Sequence, residues 1–252
     1  MLEGKNKPDF SQEKKILKNQ KDNINTADFT LENKIKAERL LYYFEVEEVK
    51  TGKIFFAKIL RRNKEKYQEN YELFEKNMIN EVNFLRQIDY PSIIKYIGYS
   101  PNGIDQKHQP ATVFKYKWVG TLHEVIHKTK ETTKTSKSEE TTVWNDTNKF
   151  INIYGITSAI SYLHSNNVVH RNLNPTNIYE TEKLYPLLGN FENARHLEEE
   201  TDIYQENNTI GLAMYLAPEI IKEQKYTRSS DIYSLGMIIY EILTGSIPFE
   251  GL

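Results

Sequence analysis

The chain has 252 residues, of which 38% are hydrophobic and 12% aromatic, which is enough for one large domain with a buried core. Its net charge of −2 gives no reason to expect nucleic acid as a main partner, and the absence of cysteine excludes disulfides and thiolate metal sites. No apolar run is long enough to cross a bilayer and no secretory signal is visible, so we expect a cytoplasmic protein without a membrane partner.

The chain begins with a polar segment and continues with predicted strands. Residues 1–27 are rich in lysine and low in hydrophobicity, which predicts a flexible or partly helical tail. Between residues 29 and 60, polar and apolar side chains alternate around a turn at Thr51-Gly52, which predicts a sheet. A helix follows, and its predicted apolar face consists of Phe74, Met78, Val82 and Leu85.

The second half of the chain is predicted to be mainly helical. A short strand is expected at residues 111–114, and residues 128–142 are polar and of low complexity, which indicates a surface loop. Residues 145–164 show helical periodicity, with Asp146 or Thr147 available as the N-cap. The expected buried stripe of this helix consists of Phe150, Ile153, Ile156, Ile160 and Leu163.

A last helix is predicted from about Asp231 to Leu243. Ser229 or Ser230 is its expected N-cap, and Gly245 follows its end. A small β-rich part followed by a mainly helical part is typical of an α+β protein.

Several motifs of the chain resemble those of protein kinases and occur in the kinase order. Residues 56–58, FAK, are similar to the strand that carries the phosphate-binding lysine, and Glu81 resembles the helix glutamate that pairs with it. Residues 169–177, VHRNLNPTN, resemble the catalytic loop, and residues 188–192, LGNFE, stand where kinases have D-F-G. Further similarity lies in residues 90–95 (YPSIIK), 217–219 (APE) and 230–236 (SDIYSLG).

The resemblance covers about residues 29–252 and is closest to the tyrosine-kinase-like serine/threonine group. It implies an α+β, bilobal protein-kinase-like fold over residues 28–252. The β-rich N-lobe with one helix is expected at about 28–115 and the mainly helical C-lobe at about 116–252. Kinase domains continue through several more helices, so we expect a C-lobe that lacks its last helices.

Two departures from the kinase pattern concern the chemistry itself. Asn172 stands where kinases have the aspartate that receives the proton of the substrate hydroxyl, and Asn190 stands where they have the aspartate that holds magnesium. An amide carries no negative charge and does not take up a proton near neutral pH. The resemblance therefore predicts that both functions are lost.

Other departures concern the nucleotide. Counting back from Lys58 places the glycine-rich loop at residues 36–41, KAERLL, which contain no glycine, and Asn174 replaces a lysine that contacts the transferring phosphate. The bulky residues at positions that surround the adenine in kinases are Tyr43, Phe56 and Tyr179. These rings either fill the adenine position themselves or turn aside into ordinary core.

Some kinase residues remain. Lys58 and Glu81 are expected to pair, either as residual nucleotide-binding residues or as a salt bridge that holds the helix to the sheet. Asn177 is a residual metal ligand that alone would bind magnesium weakly. Arg171 either pairs with a phosphorylated activation segment or bonds local carbonyls. The candidate phosphate acceptors are Thr201, Tyr204 and Thr209.

These observations favour a pseudokinase that acts as a binding, allosteric or scaffold module in phosphorylation signalling, without efficient phosphoryl transfer. Its expected partner is another protein, for example an active kinase, and we expect no nucleotide or metal cofactor. The alternative is a weak or atypical serine/threonine kinase that uses ATP and magnesium, with a carboxylate such as Glu192 in place of Asn190. A third alternative is a non-functional fragment.

Overall fold

The computed structural model describes residues 24–38, 40–61, 68–104, 109–132, 144–197, 204–205 and 210–251. Most of the predicted tail and of the predicted loop at 128–142 lies outside the described residues, as do Thr201 and Thr209. The chain divides into two compact units. The first comprises the residues up to Arg86 together with Lys95–Lys117, and the second comprises Gln87–Ile94 together with the residues from Trp118 onward.

The first unit is built on a five-stranded antiparallel sheet with the strand order β1-β2-β3-β5-β4. Its strands are β1 (Phe29–Glu38), β2 (Leu41–Glu48), β3 (Lys53–Leu60), β4 (Tyr96–Ser100) and β5 (Ala111–Phe114), and its helix is α1 (Gln68–Leu85). The structure therefore confirms the strands predicted between residues 29 and 60 and the strand at 111–114. It also confirms the helix predicted after the first of these segments, which is α1.

The central strand β3 is buried on both faces. Phe55 and Ala57 belong to one apolar cluster, whereas Leu60 packs on the other side with Val82 of α1. Because side chains alternate between the two faces of a strand, Lys58 lies on the same face as Leu60, the face that α1 covers. The near-continuous apolar run of β3 thus reflects its central place in the sheet.

The second unit is mainly helical, and its helices are α2 (Leu122–Thr132), α3 (Asp146–Ser165), α4 (Pro218–Glu223) and α5 (Arg228–Thr244). Short ribbons pair β6 (Val168–Val169) with β9 (Arg195–His196), β7 (Ile178–Glu180) with β8 (Pro186–Leu188), and β10 (Tyr204–Gln205) with β11 (Lys225–Tyr226). A β-rich unit and a mainly helical unit confirm the predicted α+β fold.

The N-cap of α3 is Asn145, so the prediction of Asp146 or Thr147 is wrong. The Asn145 side chain accepts a hydrogen bond from the backbone N–H of Asn148 at 3.0 Å. Asp146 lies one residue too late for this role, and its carboxylate is instead 3.2 Å from Lys149 Nζ on the first turn. An asparagine at the N-cap satisfies one of the N–H groups that the helix itself leaves unpaired.

The buried face of α3 also differs from its prediction. The buried members of the predicted stripe are Ile156, Ile160 and Leu163. Phe150 is 68% exposed, and the prediction that it is buried is wrong. Asn152 is fully buried instead, because its amide donates hydrogen bonds to the carbonyls of Asn148 and Leu184, both at 3.0 Å. A hydrophobic pattern alone does not reveal a buried amide that is held by backbone carbonyls.

The N-cap of α5 is Thr227, and the prediction of Ser229 or Ser230 is wrong. Thr227 accepts a hydrogen bond from the Ser230 N–H at 3.2 Å, and Ser230 Oγ accepts one from the Thr227 N–H at 2.9 Å. This reciprocal capping box starts the helix three residues before the predicted start at Asp231. Gly245, with a φ of +65°, ends the helix as predicted.

The helix α2 had no counterpart in the prediction. It continues to Thr132, so the first residues of the loop predicted at 128–142 are helical. Within the ranges given above, no helix is both long and apolar enough to cross a membrane.

Glu180, the last residue of β7, is a fully buried carboxylic acid in the second unit. Burial disfavours the charged form and raises the pKa of Glu180 from its ordinary value of 4.5 to about 8, although the neighbouring Asn152 amide acts in the opposite direction. Glu180 is therefore mostly neutral in the folded chain at pH 7.

Replacing Glu180 by glutamine is expected to stabilise the chain at alkaline pH. In the wild type, Glu180 loses its proton near pH 4.5 in the unfolded chain but only near pH 8 in the folded chain. The contribution of Glu180 to the free energy of unfolding is therefore complete below pH 4.5 and is lost as the pH rises to 8. At about 1.4 kcal/mol per pKa unit, the loss is on the order of a few kcal/mol. Glu180→Gln removes this loss, and denaturant melts across this pH range measure it.

The matched control is Glu182→Gln, since Glu182 lies nearby in the same unit and is exposed. This variant should keep the pH dependence of the wild type. The same pH dependence in Glu180→Gln would contradict the role given to Glu180.

Candidate functional site

In the first unit, Lys58 and Glu81 form a buried ion pair. Lys58 Nζ lies 2.8 Å from both carboxylate oxygens of Glu81, and each residue is 2% exposed. β3 carries the lysine and α1 the glutamate, so the pair ties the helix to the sheet. The structure thus brings together the two residues that were expected to pair.

Tyr43 and Phe56 lie in one aromatic cluster of the first unit. The Phe56 ring stacks on Tyr43 at a centroid distance of 5.8 Å and contacts the rings of Phe114 and Tyr116 at 5.7 and 5.8 Å. Both Tyr43 and Phe56 are buried. They are therefore core residues of this unit, and their proposed place at an adenine position stays a prediction.

The turn between β1 and β2 falls within residues 36–41, the segment that the resemblance aligns with the glycine-rich loop. Lys36 Nζ lies 2.6 Å from Glu38 Oε1, and the Tyr43 hydroxyl donates a hydrogen bond to Glu38 Oε2 at 3.3 Å. Arg39 lies outside the described residues. This end of the hairpin therefore carries a pair of opposite charges and no glycine.

In the second unit, the buried carboxylate of Asp231 on α5 holds the segment 169–177. Asp231 Oδ2 accepts a hydrogen bond from the N–H of His170 at 2.8 Å, and Oδ1 accepts one from the N–H of Arg171 at 3.0 Å. His164 Nε2 lies 3.1 Å from Oδ2. Arg171 has a φ of +70°, which is unfavourable for a residue with a side chain, and the two hydrogen bonds to a carboxylate offset this cost.

Three asparagines of this segment bond to one another. The backbone carbonyl of Asn172 accepts hydrogen bonds from the side-chain amides of Asn177 at 2.7 Å and Asn174 at 3.3 Å. The Asn174 amide also lies 3.2 Å from Asn172 Oδ1, and Asn174 Oδ1 accepts a hydrogen bond from the Thr176 N–H at 3.0 Å. Asn174 resembles in position a lysine of active kinases, and here its side chain helps to fix the loop conformation.

Asn190 extends the same network to Tyr179. Its Nδ2 donates a hydrogen bond to Asn177 Oδ1, and its Oδ1 accepts one from the Tyr179 hydroxyl at 3.2 Å. Tyr179 is 2% exposed and meets the Trp118 ring edge-on at 5.8 Å. Gly189 makes room for Tyr179, because a Cβ at that position would clash with the tyrosine ring. Tyr179 is thus a core residue of the second unit.

The four asparagines Asn172, Asn174, Asn177 and Asn190 are called the amide network below. Their side chains bring no formal charge to the positions where kinases place two carboxylates and a lysine. Magnesium binds carboxylate and carbonyl oxygens, and the oxygen of Asn177 already accepts a hydrogen bond from Asn190. Glu192, the alternative carboxylate, is half-buried, with Oε1 3.5 Å from the Asn193 amide.

Arg171 packs within the second unit. Its guanidinium lies 4.4 Å from the centre of the Tyr226 ring, and its Nη1 donates a hydrogen bond to the carbonyl of Asn193 at 3.3 Å. These contacts match the hypothesis of an arginine bonded to a local carbonyl. The phosphate switch stays a prediction, since the structure describes Tyr204 only through its backbone pairing with Tyr226.

Sequence reasoning gave no role to Asp231, Trp118 or Glu180. Asp231 lies within the motif SDIYSLG, which the sequence analysis identified. Its hydrogen bonds to the backbone of His170 and Arg171 were not predicted, because those residues lie about 60 positions earlier in the chain. Trp118 and Glu180 lie in segments without a recognised pattern. Only the tertiary structure shows what these three residues contact.

Comparison with known proteins gives the family. The sequence profile of the protein kinase domain matches residues 43–252. A probable serine/threonine-protein kinase of Dictyostelium discoideum is 27% identical over 212 residues, which are 80% of this chain and 15% of that protein. Human 3-phosphoinositide-dependent protein kinase 1 is 37% identical over 95 residues, which are 38% of this chain and 17% of that protein.

A putative serine/threonine-protein kinase/receptor of Acanthamoeba polyphaga mimivirus is 30% identical over 171 residues, which are 67% of this chain and 9% of that protein. The chain thus spans less than one fifth of the length of each of these three relatives. The profile match covers most of the chain, including the Lys58–Glu81 pair, the loop held by Asp231 and the amide network. The chain therefore belongs to the protein kinase domain family and has serine/threonine kinases among its relatives.

Proposed function

We propose that this chain is a pseudokinase, a kinase fold that acts by binding another protein and does not transfer phosphoryl groups efficiently. The observation that carries this proposal is the amide network. Asn172 and Asn190 occupy the positions of the two aspartates, and their side chains bond to other neutral amides.

The physical argument concerns charge. Kinases accelerate phosphoryl transfer almost entirely by positioning the phosphate and by stabilising its charge with metal ions and cationic side chains. Asn172 cannot accept the hydroxyl proton, and loss of a general base typically costs about 10²–10⁴-fold in rate. Asn190 adds no negative charge to a magnesium site, and Asn174 adds no positive charge beside the phosphate. These losses affect different steps, so together they should remove most of the catalysis.

Two buried contacts that hold each unit together support a binding role. The buried Lys58–Glu81 pair ties α1 to the sheet, and Asp231 holds the segment around Arg171. These contacts preserve a folded surface without supplying the missing chemistry. We propose that the partner is an active kinase whose activity the chain alters, or for which it serves as a scaffold in phosphorylation signalling.

A second candidate function is a weak or atypical serine/threonine kinase. The observation that favours it is the intact Lys58–Glu81 pair, because an active kinase needs this lysine and glutamate in contact. In this version ATP and magnesium are the cofactors, and Glu192 supplies the carboxylate that Asn190 lacks. Phosphoryl transfer above background, together with nucleotide binding, separates this candidate from the first.

The pseudokinase proposal predicts no phosphoryl transfer and no nucleotide binding. The purified chain, incubated with radiolabelled ATP, magnesium and a generic protein substrate, should incorporate no more label than the same sample with EDTA. Magnesium-ATP at millimolar concentration should leave the melting temperature unchanged, since only ligands that bind the folded state raise it.

The matched control for transfer is Lys58→Arg, which keeps a positive charge opposite Glu81. Incorporation above the level of this variant, together with a saturable rise in melting temperature, would overturn the proposal and support the weak kinase. A rise in melting temperature without incorporation would indicate a nucleotide-binding pseudokinase and refute the predicted absence of a cofactor.

The Lys58–Glu81 pair is expected to act as a structural contact. Lys58→Met leaves the buried Glu81 carboxylate without its partner, and such losses typically cost about 3–5 kcal/mol. The double variant Lys58→Met/Glu81→Leu should regain most of that stability, because apolar residues of similar volume often replace a buried ion pair at little cost. The cycle is completed by the single variant Glu81→Leu. Denaturant melts of the wild type and the three variants measure the coupling free energy between Lys58 and Glu81. Equal stability of the single and double variants would contradict this role.

The binding part of the proposal predicts that the chain changes the rate of an active kinase. Initial rates of peptide phosphorylation are measured for candidate serine/threonine kinases at increasing concentrations of the chain. A saturable change in rate is expected for a true partner, with heat-unfolded chain as the control. Unchanged rates and no measurable binding across the candidates would count against a kinase as the partner.

A further inference from the structure

Two histidines of α2 and one glutamate of α5 converge in the second unit. His123 and His127 are four residues apart, so they lie on the same face of α2, and their rings are 4.5 Å apart. Glu241 is fully buried on α5. One nitrogen of each histidine and one oxygen of Glu241 all lie within 4.8 Å of one another. This group, called the His-His-Glu cluster below, contains no residue of the amide network.

The distances within the cluster are close to those of a zinc site. Glu241 Oε1 lies 2.8 Å from His127 Nε2 and 3.3 Å from His123 Nδ1. In a tetrahedral zinc site, where each ligand atom is about 2.0–2.1 Å from the ion, neighbouring ligand atoms are about 3.4 Å apart. The distance from Glu241 Oε1 to His123 Nδ1 is already close to this spacing, and the distance to His127 Nε2 must lengthen by about half an ångström to admit an ion.

The glutamate is oriented from its far side. The Tyr215 hydroxyl donates a hydrogen bond to Glu241 Oε2, which leaves Oε1 directed at the two histidines. A hydrogen bond to the second oxygen of a ligating carboxylate is the arrangement that supports metal ligands in known sites.

We propose that His123 Nδ1, His127 Nε2 and Glu241 Oε1 bind one zinc ion. Two imidazole nitrogens and a carboxylate oxygen suit zinc, whereas magnesium and calcium prefer sites made only of oxygen ligands. The ion would link α2 to α5. Since the histidine side chains are 35% and 25% exposed, the fourth ligand is a water molecule that reaches the ion from solvent.

A cluster without a metal is the competing explanation. The two histidines then only share the buried Glu241 carboxylate through hydrogen bonds, an arrangement that satisfies the buried charge without an ion. The two explanations differ in their response to added metal. A metal site takes up one ion per chain, and replacing the histidines abolishes this uptake. A cluster held only by hydrogen bonds takes up no ion, with or without the histidines.

The test uses the full chain, freed of metal by dialysis against a chelator. Calorimetric titration with zinc should give one ion per chain with micromolar or tighter affinity. Cobalt added to the same chain should give the visible absorption bands of a four-coordinate site. The double variant His123→Gln/His127→Gln should weaken zinc binding at least about 100-fold, and Tyr215→Phe should weaken it about tenfold.

The matched control is His196→Gln, because His196 is an exposed histidine outside the cluster. It should bind zinc as the wild type does. Melting curves without metal establish that the variants fold, and the cobalt spectrum of the wild type tests the site independently of any variant. No zinc uptake by the wild type, equal affinity in the double variant, or a six-coordinate cobalt spectrum would overturn the proposal.

Discussion

The carboxylate of Asp231 is the constraint on which the geometry of the segment 169–177 depends. It accepts the backbone N–H groups of His170 and Arg171 and lies 3.1 Å from His164 Nε2, all in a buried setting. Hydrogen bonds to a charged acceptor each contribute about 1.5–3 kcal/mol. They hold Arg171 in a left-handed conformation that its side chain otherwise disfavours. Neither of these two backbone hydrogen bonds uses the side chain at position 172.

Asn172 and Asn190 stand at the positions that the kinase resemblance aligns with two aspartates, and they fit there because of their shape. Asparagine has the shape of aspartate, but its amide nitrogen donates hydrogen bonds where a carboxylate only accepts them. The Asn190 amide donates to Asn177, and the Asn177 amide donates to the carbonyl of Asn172. The amide network is held together by hydrogen bonds between these neutral groups.

The sequence predicted the strands between residues 29 and 60 because the alternation before β3 and the apolar run of β3 itself are local signals, but it did not predict β4. It also predicted that Lys58 and Glu81 pair, through the kinase resemblance. It did not predict that Phe150 of α3 is exposed, since a buried Asn152 held by carbonyls leaves no trace in a hydrophobic pattern. The His-His-Glu cluster was also missed, because Glu241 lies 114 positions after His127 and α2 was not recognised as a helix.

Three buried acids have partners that suit a negative charge. Glu81 is paired with Lys58, Asp231 with two N–H groups and a histidine, and Glu241 with two histidines and Tyr215. A buried charge without such partners is strongly unfavourable, so replacing any of the three by a neutral residue would leave partners unsatisfied. Asn172 and Asn190 bond to other neutral amides, so their side chains add no charge to the interior of the second unit. Glu180 is the contrasting buried acid, because it is mostly neutral at pH 7 and its ionisation lowers the stability of the fold.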